Sequence, residues 1–263
     1  MARLADAFAR LRREGRGGLV TYVTAGDPDA ARSVELLVDI ARAGADVLEV
    51  GVPFSDPLAD GPVIQRASER ALAGGMTLRG TLRLVRAVRE AVDTPIVLFT
   101  YANPVVRMDP AAFAAEAADA GVDGVLILDY PVEEAGAFRG PMIDAGLDPV
   151  FLVSPTTTDE RIKRSDELGR GFLYVISRLG VTGASDRLAE DAGSLVERVR
   201  AHARLPVALG FGISTPAQVA EACHRADAAV VGSALVNVIA EHSGSPGLAA
   251  RAGEYVRWLK SEL

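Results

Sequence analysis

Apolar and polar positions follow two rhythms along this chain, and the two take turns. Runs that are apolar on both faces, as strands buried in a parallel sheet are, fall at Gly18–Thr24, Val47–Val52, Ile96–Tyr101, Gly124–Asp129, Pro149–Val153, Phe172–Ile176, Val207–Phe211 and Ala228–Gly232. Helical spacing occupies Ala30–Ala43, Val63–Ala73 with Leu78–Val92, Pro110–Ala120, Glu133–Ala145, Asp159–Leu168, Ser185–Ala203, Pro216–Arg225 and finally Ala234–Leu259. Leu4, Ala7, Phe8 and Leu11 predict a further amphipathic helix before the first strand. Eight strand–helix units are the count of a closed (β/α)8 barrel, so the expectation is an α/β chain forming one TIM-barrel domain over residues 1–263 with an extra N-terminal helix.

A repeated local signature fits that reading. Ala43-Gly44-Ala45-Asp46, Ala120-Gly121-Val122-Asp123 and Ala145-Gly146-Leu147-Asp148 each set a glycine where a helix must stop before the next strand, in the left-handed conformation that costs glycine nothing. Ser243–Gly247 reads as a late turn between the last two helical stretches. An open doubly wound sheet would show a Gly-x-Gly-x-x-Gly turn after the first strand, whereas Thr24-Ala25-Gly26-Asp27-Pro28 stands there.

Composition narrows the chemistry. The net charge of −7 over 263 residues argues against a nucleic-acid partner. No apolar run reaches the ~20 residues of a membrane span. The amino terminus lacks a signal-peptide core and Cys223 is a single cysteine in a helical pattern, so a cytoplasmic chain is expected. Lys163 and Lys260 lie in charged helical patterns, and His202, His224 and His242 lie in or beside helices without ligand spacing. A Schiff-base lysine and a histidine-held metal are therefore not expected. Chemistry falls to carboxylates, hydroxyls, backbone amides and arginine.

One carboxylate stands out. Glu49 sits inside Asp46-Val47-Leu48-Glu49-Val50-Gly51-Val52-Pro53, with Val47 and Gly51 on its own face and Leu48 and Val50 opposite. An ionised group is costly to bury unpaired, so this position reads either as a solvent-facing residue of an edge strand or as a functional acid. The flanking faces are too apolar for an edge. The loop Phe54–Pro62 that follows carries Asp56 and Asp60 among prolines; Asp56 reads as a loop or interface residue. The other strand ends supply Thr24, Tyr101, Asn103, Asp129, Ser154, Tyr174, Ser177 and Arg178. Asp129 is either catalytic or a backbone acceptor that fixes its turn. Gly210-Phe211-Gly212-Ile213-Ser214 and Gly232-Ser233-Ala234 follow strands seven and eight, where barrels commonly hold a phosphate on backbone N–H groups and a helix N-terminus. They can equally be plain turns. Ser177–Ser185 is a two-glycine loop, either a lid or a passive connection. Tyr22, Ile64, Phe99, Tyr101, Leu126, Leu128 and Tyr174 could line an apolar cavity or simply fill the core.

With those residues in view, Leu48–Gln65 closely resembles the signature segment of the tryptophan synthase alpha chain family. The resemblance spans essentially the whole chain and includes Tyr22–Pro28, Tyr101-Ala102-Asn103-Pro104, Ser177–Gly183 and Gly210–Ser214. Tyr22, where phenylalanine is frequent, and Tyr130, where a smaller aliphatic is usual, are departures. The resemblance implies a cofactor-free retro-aldol lyase that cleaves indole-3-glycerol phosphate to indole and glyceraldehyde 3-phosphate, with Glu49 and Asp60 as the catalytic carboxylates. It implies Tyr174 and Thr182 in support, and phosphate held by Gly183, Phe211, Gly212, Gly232 and Ser233. The indole pocket would be Tyr22, Ile64, Phe99, Tyr101, Leu126 and Leu128. A beta-chain partner in an alpha2-beta2 assembly would meet Phe54, Ser55, Asp56, Pro57, Asn103 and Pro104, take indole through a tunnel and carry the pyridoxal phosphate. Two other readings share parts of this pattern: a barrel isomerase acting on a phosphorylated sugar, and a noncatalytic barrel that activates a partner enzyme.

Overall fold

The computed structural model describes residues 3–176, 191–210 and 212–263. Eight parallel strands close into a barrel in chain order, each hydrogen-bonded to the next and the last to the first. They are β1 (Gly18–Thr24), β2 (Val47–Gly51), β3 (Ile96–Thr100), β4 (Gly124–Ile127), β5 (Asp148–Val153), β6 (Leu173–Ile176), β7 (Val207–Gly210) and β8 (Ala228–Val231). The helices are α1 (Arg3–Glu14), α2 (Ala30–Arg42), α3 (Pro62–Ala73), α4 (Leu78–Arg89), α5 (Ala102–Met108), α6 (Pro110–Asp119), α7 (Gly136–Asp144), α8 (Asp159–Leu168), α9 (Asp191–His202), α10 (Pro216–Arg225), α11 (Ser233–Glu241) and α12 (Leu248–Leu259).

The expected strands recur: β1 has the expected bounds, β5 begins one residue earlier, the other six are one or two residues shorter, and the helical pattern differs in two places. The stretch Glu133–Ala145 is a 3-10 turn, Val132–Glu134, followed by α7, with Gly136, Gly140 and Pro141 weakening any longer helix. Helix α5 went unforeseen: it has seven residues, too few to show a period, and its Pro104 stands in the first turn, where a missing N–H costs nothing.

Two apolar layers hold the barrel. The outer one packs Leu48, Val50, Leu98 and their like against the helices. The inner one gathers Val20, Val47, Val97, Leu126, Val150 and Phe172. Leu4, Phe8 and Leu11 of α1 close that layer, with the Phe8 and Phe172 rings 5.5 Å apart. Each such side chain contributes roughly 1.5–3 kcal/mol by leaving water, so α1 is part of the core.

The Gly-x-Asp signature serves the N-terminal end of the barrel. Gly44, Gly121 and Gly146 have φ of 107°, 90° and 79°. Asp46 then accepts hydrogen bonds from the Leu19 N–H (3.0 Å), Arg16 (2.9 Å) and Lys260 (2.8 Å). Asp123 accepts from the Ile96 N–H (2.8 Å), Arg89 (2.8 Å) and Arg3 (2.9 Å). At the other end, buried Asp27 takes a bidentate grip from Arg70 (2.7 and 2.8 Å), tying α3 to the loop after β1. Among the described residues, buried carboxylates thus have hydrogen-bond partners as a rule, and Glu49 is the exception.

Candidate active site

Glu49 is 1% exposed in the middle of β2, and its Cα partners are Tyr22 on β1 and Val97 on β3. Strand alternation sends it inward with Val47, while Leu48 and Val50 face the helices. Neither carboxyl oxygen has a hydrogen-bond partner among the described residues. Burial first, and the nearby charge of Asp60 second, push its pKa up to about 8. A proton held at neutral pH by an apolar wall is what a general acid requires.

Asp60 lies in the loop after β2 and is buried despite that address. Its backbone N–H donates to Pro57 O (3.0 Å), and its carbonyl accepts from Gln65 Nε2 (2.9 Å). The next residues, Gly61 and Pro62, start α3, so the acid is fixed to a helix N-terminus by a residue of preset φ. The Tyr101 hydroxyl donates to Asp60 Oδ2 (3.1 Å). Burial raises the Asp60 pKa to about 6, and that hydrogen bond holds it down against the rise. Two carboxyls at one mouth are therefore set apart, one protonated and one ionised near neutrality.

An apolar wall surrounds them. Tyr22 and Phe99 meet edge to face at 5.3 Å, and Tyr22 packs with Ile64 and Val236. Phe99 continues the wall to Leu126, Leu128 and Tyr174, its ring 6.4 Å from that of Tyr174. The Tyr22 hydroxyl stands over Gly51, where a Cβ would collide with it, and pairs with Thr24 Oγ1 at 3.3 Å. Tyr101 differs from its expected place in the wall. Its ring lies against Phe54, centroids 5.0 Å apart, and its oxygen faces the Asp60 loop. That pairing bridges residues 41 apart in the chain and left no sequence signal.

A cavity of about 320 Å³ opens beside this wall, lined by Ile64, Tyr174, Gly212, Ser214, Gly232 and Ser233 among others. Helix α11 begins at Ser233, which lines the cavity, so its first-turn N–H groups and positive end lie at that cavity. Gly212 has φ of 72°, a conformation that favours glycine. The structure thus brings Gly212, Gly232 and Ser233 together with Tyr174. Thr182, Gly183, Phe211 and the loop Ser177–Ser185 lie outside the described residues.

Phe54, Ser55, Asp56 and Pro57 lie on the same rim as α5, which holds Asn103 and Pro104. Two apolar side chains of that rim were not singled out from the sequence: Leu58, 94% exposed, and Val106, 57% exposed. A leucine stranded in a proline- and aspartate-rich loop was the available hint. Asp129 proves structural, accepting the Ala102 N–H at 2.7 Å where α5 starts. Cys223 packs against the barrel with its thiol near Gly18 O (3.5 Å), and burial pushes its pKa up to about 11.

The chain is similar to known proteins over essentially its full length. The family model described as tryptophan synthase alpha chain matches residues 8–260. The tryptophan synthase alpha chain of Burkholderia thailandensis is 48% identical over 264 residues, covering 100% of this chain and 97% of that one. That of Citrifermentans bemidjiense is 47% identical over 260 residues, covering 99% and 97%. Among solved structures, tryptophan synthase subunit alpha from Legionella pneumophila superposes with a TM-score of 0.89 at 37% identity, covering 100% of this chain and 98% of that one. Mycobacterium tuberculosis tryptophan synthase gives 0.90 at 40% identity, covering 98% of each. The chain belongs to the tryptophan synthase alpha chain family.

Proposed function

We propose that Glu49 and Asp60 carry the proton transfers by which this chain, a carbon–carbon lyase, cleaves indole-3-glycerol phosphate to indole and glyceraldehyde 3-phosphate in the alpha reaction of tryptophan biosynthesis. The observation that carries the assignment is the buried Glu49 carboxyl, unpartnered among the described residues and with its pKa pushed up to about 8, beside an Asp60 whose pKa is raised to about 6.

The chemistry follows from the pair. Carbon–carbon cleavage needs C3 of the indole ring protonated, so that the ring becomes an electron sink. Protonated Glu49 supplies that proton. The resulting carboxylate then removes the proton from the glycerol hydroxyl next to the scissile bond, the bond breaks, and indole leaves. Asp60, already ionised, accepts the ring N–H proton or holds it while positive charge develops. Tyr22, Ile64, Phe99, Leu126 and Leu128 flank the ring, with Tyr101 on the Asp60 side and Tyr174 in support. Gly212, Gly232 and Ser233 hold the phosphate through backbone N–H groups at the start of α11; Gly183 and Phe211 join them in this proposal, and Thr182 meets Asp60 when the site closes.

The chain needs no cofactor of its own; pyridoxal phosphate belongs to the beta chain, with which it forms an alpha2-beta2 assembly. We assign that docking to Phe54, Ser55, Asp56, Pro57, Asn103 and Pro104, and place the whole chain, as one domain, in the cytoplasm with its biosynthetic role. Among the described residues no helix is long and apolar enough to cross a membrane. An isomerase on a phosphorylated sugar, which would share the phosphate turns, is set aside by family membership.

The test is to supply indole-3-glycerol phosphate and follow both products for the native chain and for Asp60→Asn. The native chain should release indole and glyceraldehyde 3-phosphate in equal amounts, and Asp60→Asn should lose nearly all of that turnover. A native chain that releases neither product, or an Asp60→Asn chain at native rate, would overturn the assignment.

A further inference from the structure

The Asp60 carboxylate has a single side-chain donor among the described residues, the phenol of Tyr101 at 3.1 Å from Oδ2. The same phenol oxygen accepts the Ala59 N–H, also at 3.1 Å, so one atom grips two successive residues of the loop. Gln65 holds only main-chain oxygens there, those of Asp60 and Pro57. Tyr101 is itself anchored: it follows the last residue of β3, it precedes the first residue of α5, and that residue's N–H is taken by Asp129. Its ring packs on Phe54, at the start of the loop, with the planes 30° apart. The loop between is otherwise lightly held, with Leu58 94% exposed.

We propose that Tyr101 is a positioning residue for Asp60: its hydroxyl engages Oδ2 and leaves Oδ1 to accept the indole N–H, while its ring ties the acid to the face that receives the beta chain. This rests on the catalytic reading of Asp60 given above. The hydroxyl also favours the ionised form of the acid, which interacts electrostatically with Glu49 on β2, Tyr22 on β1 and Tyr174 on β6. Ordering the carboxylate before substrate arrives lowers the cost of reaching the charged transition state.

Tyr101→Phe isolates the hydroxyl, because it keeps the ring against Phe54. In assembly with the beta chain, kcat for indole-3-glycerol phosphate should fall about 10- to 100-fold, the range that a hydrogen bond to a charged group commands. KM should stay within about twofold, and the acid limb of the pH–rate profile should move to higher pH as Asp60 loses its donor. A native kcat with an unmoved acid limb would overturn the proposal. So would a reduced kcat that tracks a lowered thermal midpoint while the limb stays put, because that pattern marks a merely structural role. Asp60→Asn run alongside separates the failures: if it turns over at native rate the reading of Asp60 is wrong, and if it is inactive while Tyr101→Phe is native only Tyr101 is misassigned.

Discussion

Glu49 and Asp60 share one barrel mouth and differ in one respect: among the described residues, Asp60 has a hydrogen-bond donor on its carboxylate and Glu49 has none. The Asp60 charge adds to the burial that raises Glu49, while Tyr101 restrains the rise at Asp60. Environment alone thus gives two like groups opposite protonation states, the arrangement an acid–base pair needs at neutral pH.

That separation fixes the pH dependence. Cleavage begins with Glu49 protonated and Asp60 ionised, a combination that dominates between about 6 and about 8. The profile of kcat/KM for indole-3-glycerol phosphate should be a bell, rising through the lower value and falling through the upper one. The two limbs belong to the coupled pair as much as to either acid. A profile that is flat from about pH 5 to about pH 9 would contradict the assignment.

The same carboxyl should be visible in stability. Glu49 has an ordinary pKa of 4.5 and a folded value of about 8. Between them the folded chain keeps a proton that the unfolded chain has lost, so stability declines as pH climbs through that window. Asp60 adds the same sign between 3.8 and about 6. Glu49→Gln removes the larger contribution, and its denaturation midpoint should gain on the native one as pH rises from about 5 to about 8. Midpoints that stay a constant distance apart would show that Glu49 is not held protonated.

The phosphate assignment rests on open space before the α11 N-terminus. Among the described residues a Cβ added at Gly232 meets only Tyr22, at ordinary contact distances of 3.6 Å and above, so Gly232→Val should fold. Its branched side chain would stand in the cavity that Gly232 lines. KM should rise by about tenfold or more and inorganic phosphate should compete less well, since the backbone N–H groups can no longer be approached closely. Unchanged KM and unchanged phosphate inhibition would dispose of the site.

The parts readable in the sequence are those decided within a few residues. Both-faced apolar runs gave β1 to β8, because a parallel strand is buried on both sides whatever its neighbours are. Glu49 was legible for the same reason, being the one acid in the interior of such a run rather than at its end. Asp60 was harder: a proline- and aspartate-rich loop reads as surface, and the bonds that hold it come from Tyr101 and Gln65, the first of them 41 residues away. The role of the Tyr101 hydroxyl was not readable, since an aromatic at a strand end carries no mark of which loop its oxygen will reach. Helix α5 escaped because seven residues span two turns, too few to establish a period.

The central claim is that one buried carboxyl passes a proton to the indole ring and reclaims another. Its most direct test is Glu49→Gln with indole-3-glycerol phosphate, following both products and using inorganic phosphate as competitor. Turnover should fall by a factor of about 10³ or more while the competitor binds as it does to the native chain. Native-rate release of indole and glyceraldehyde 3-phosphate by that variant would contradict the account.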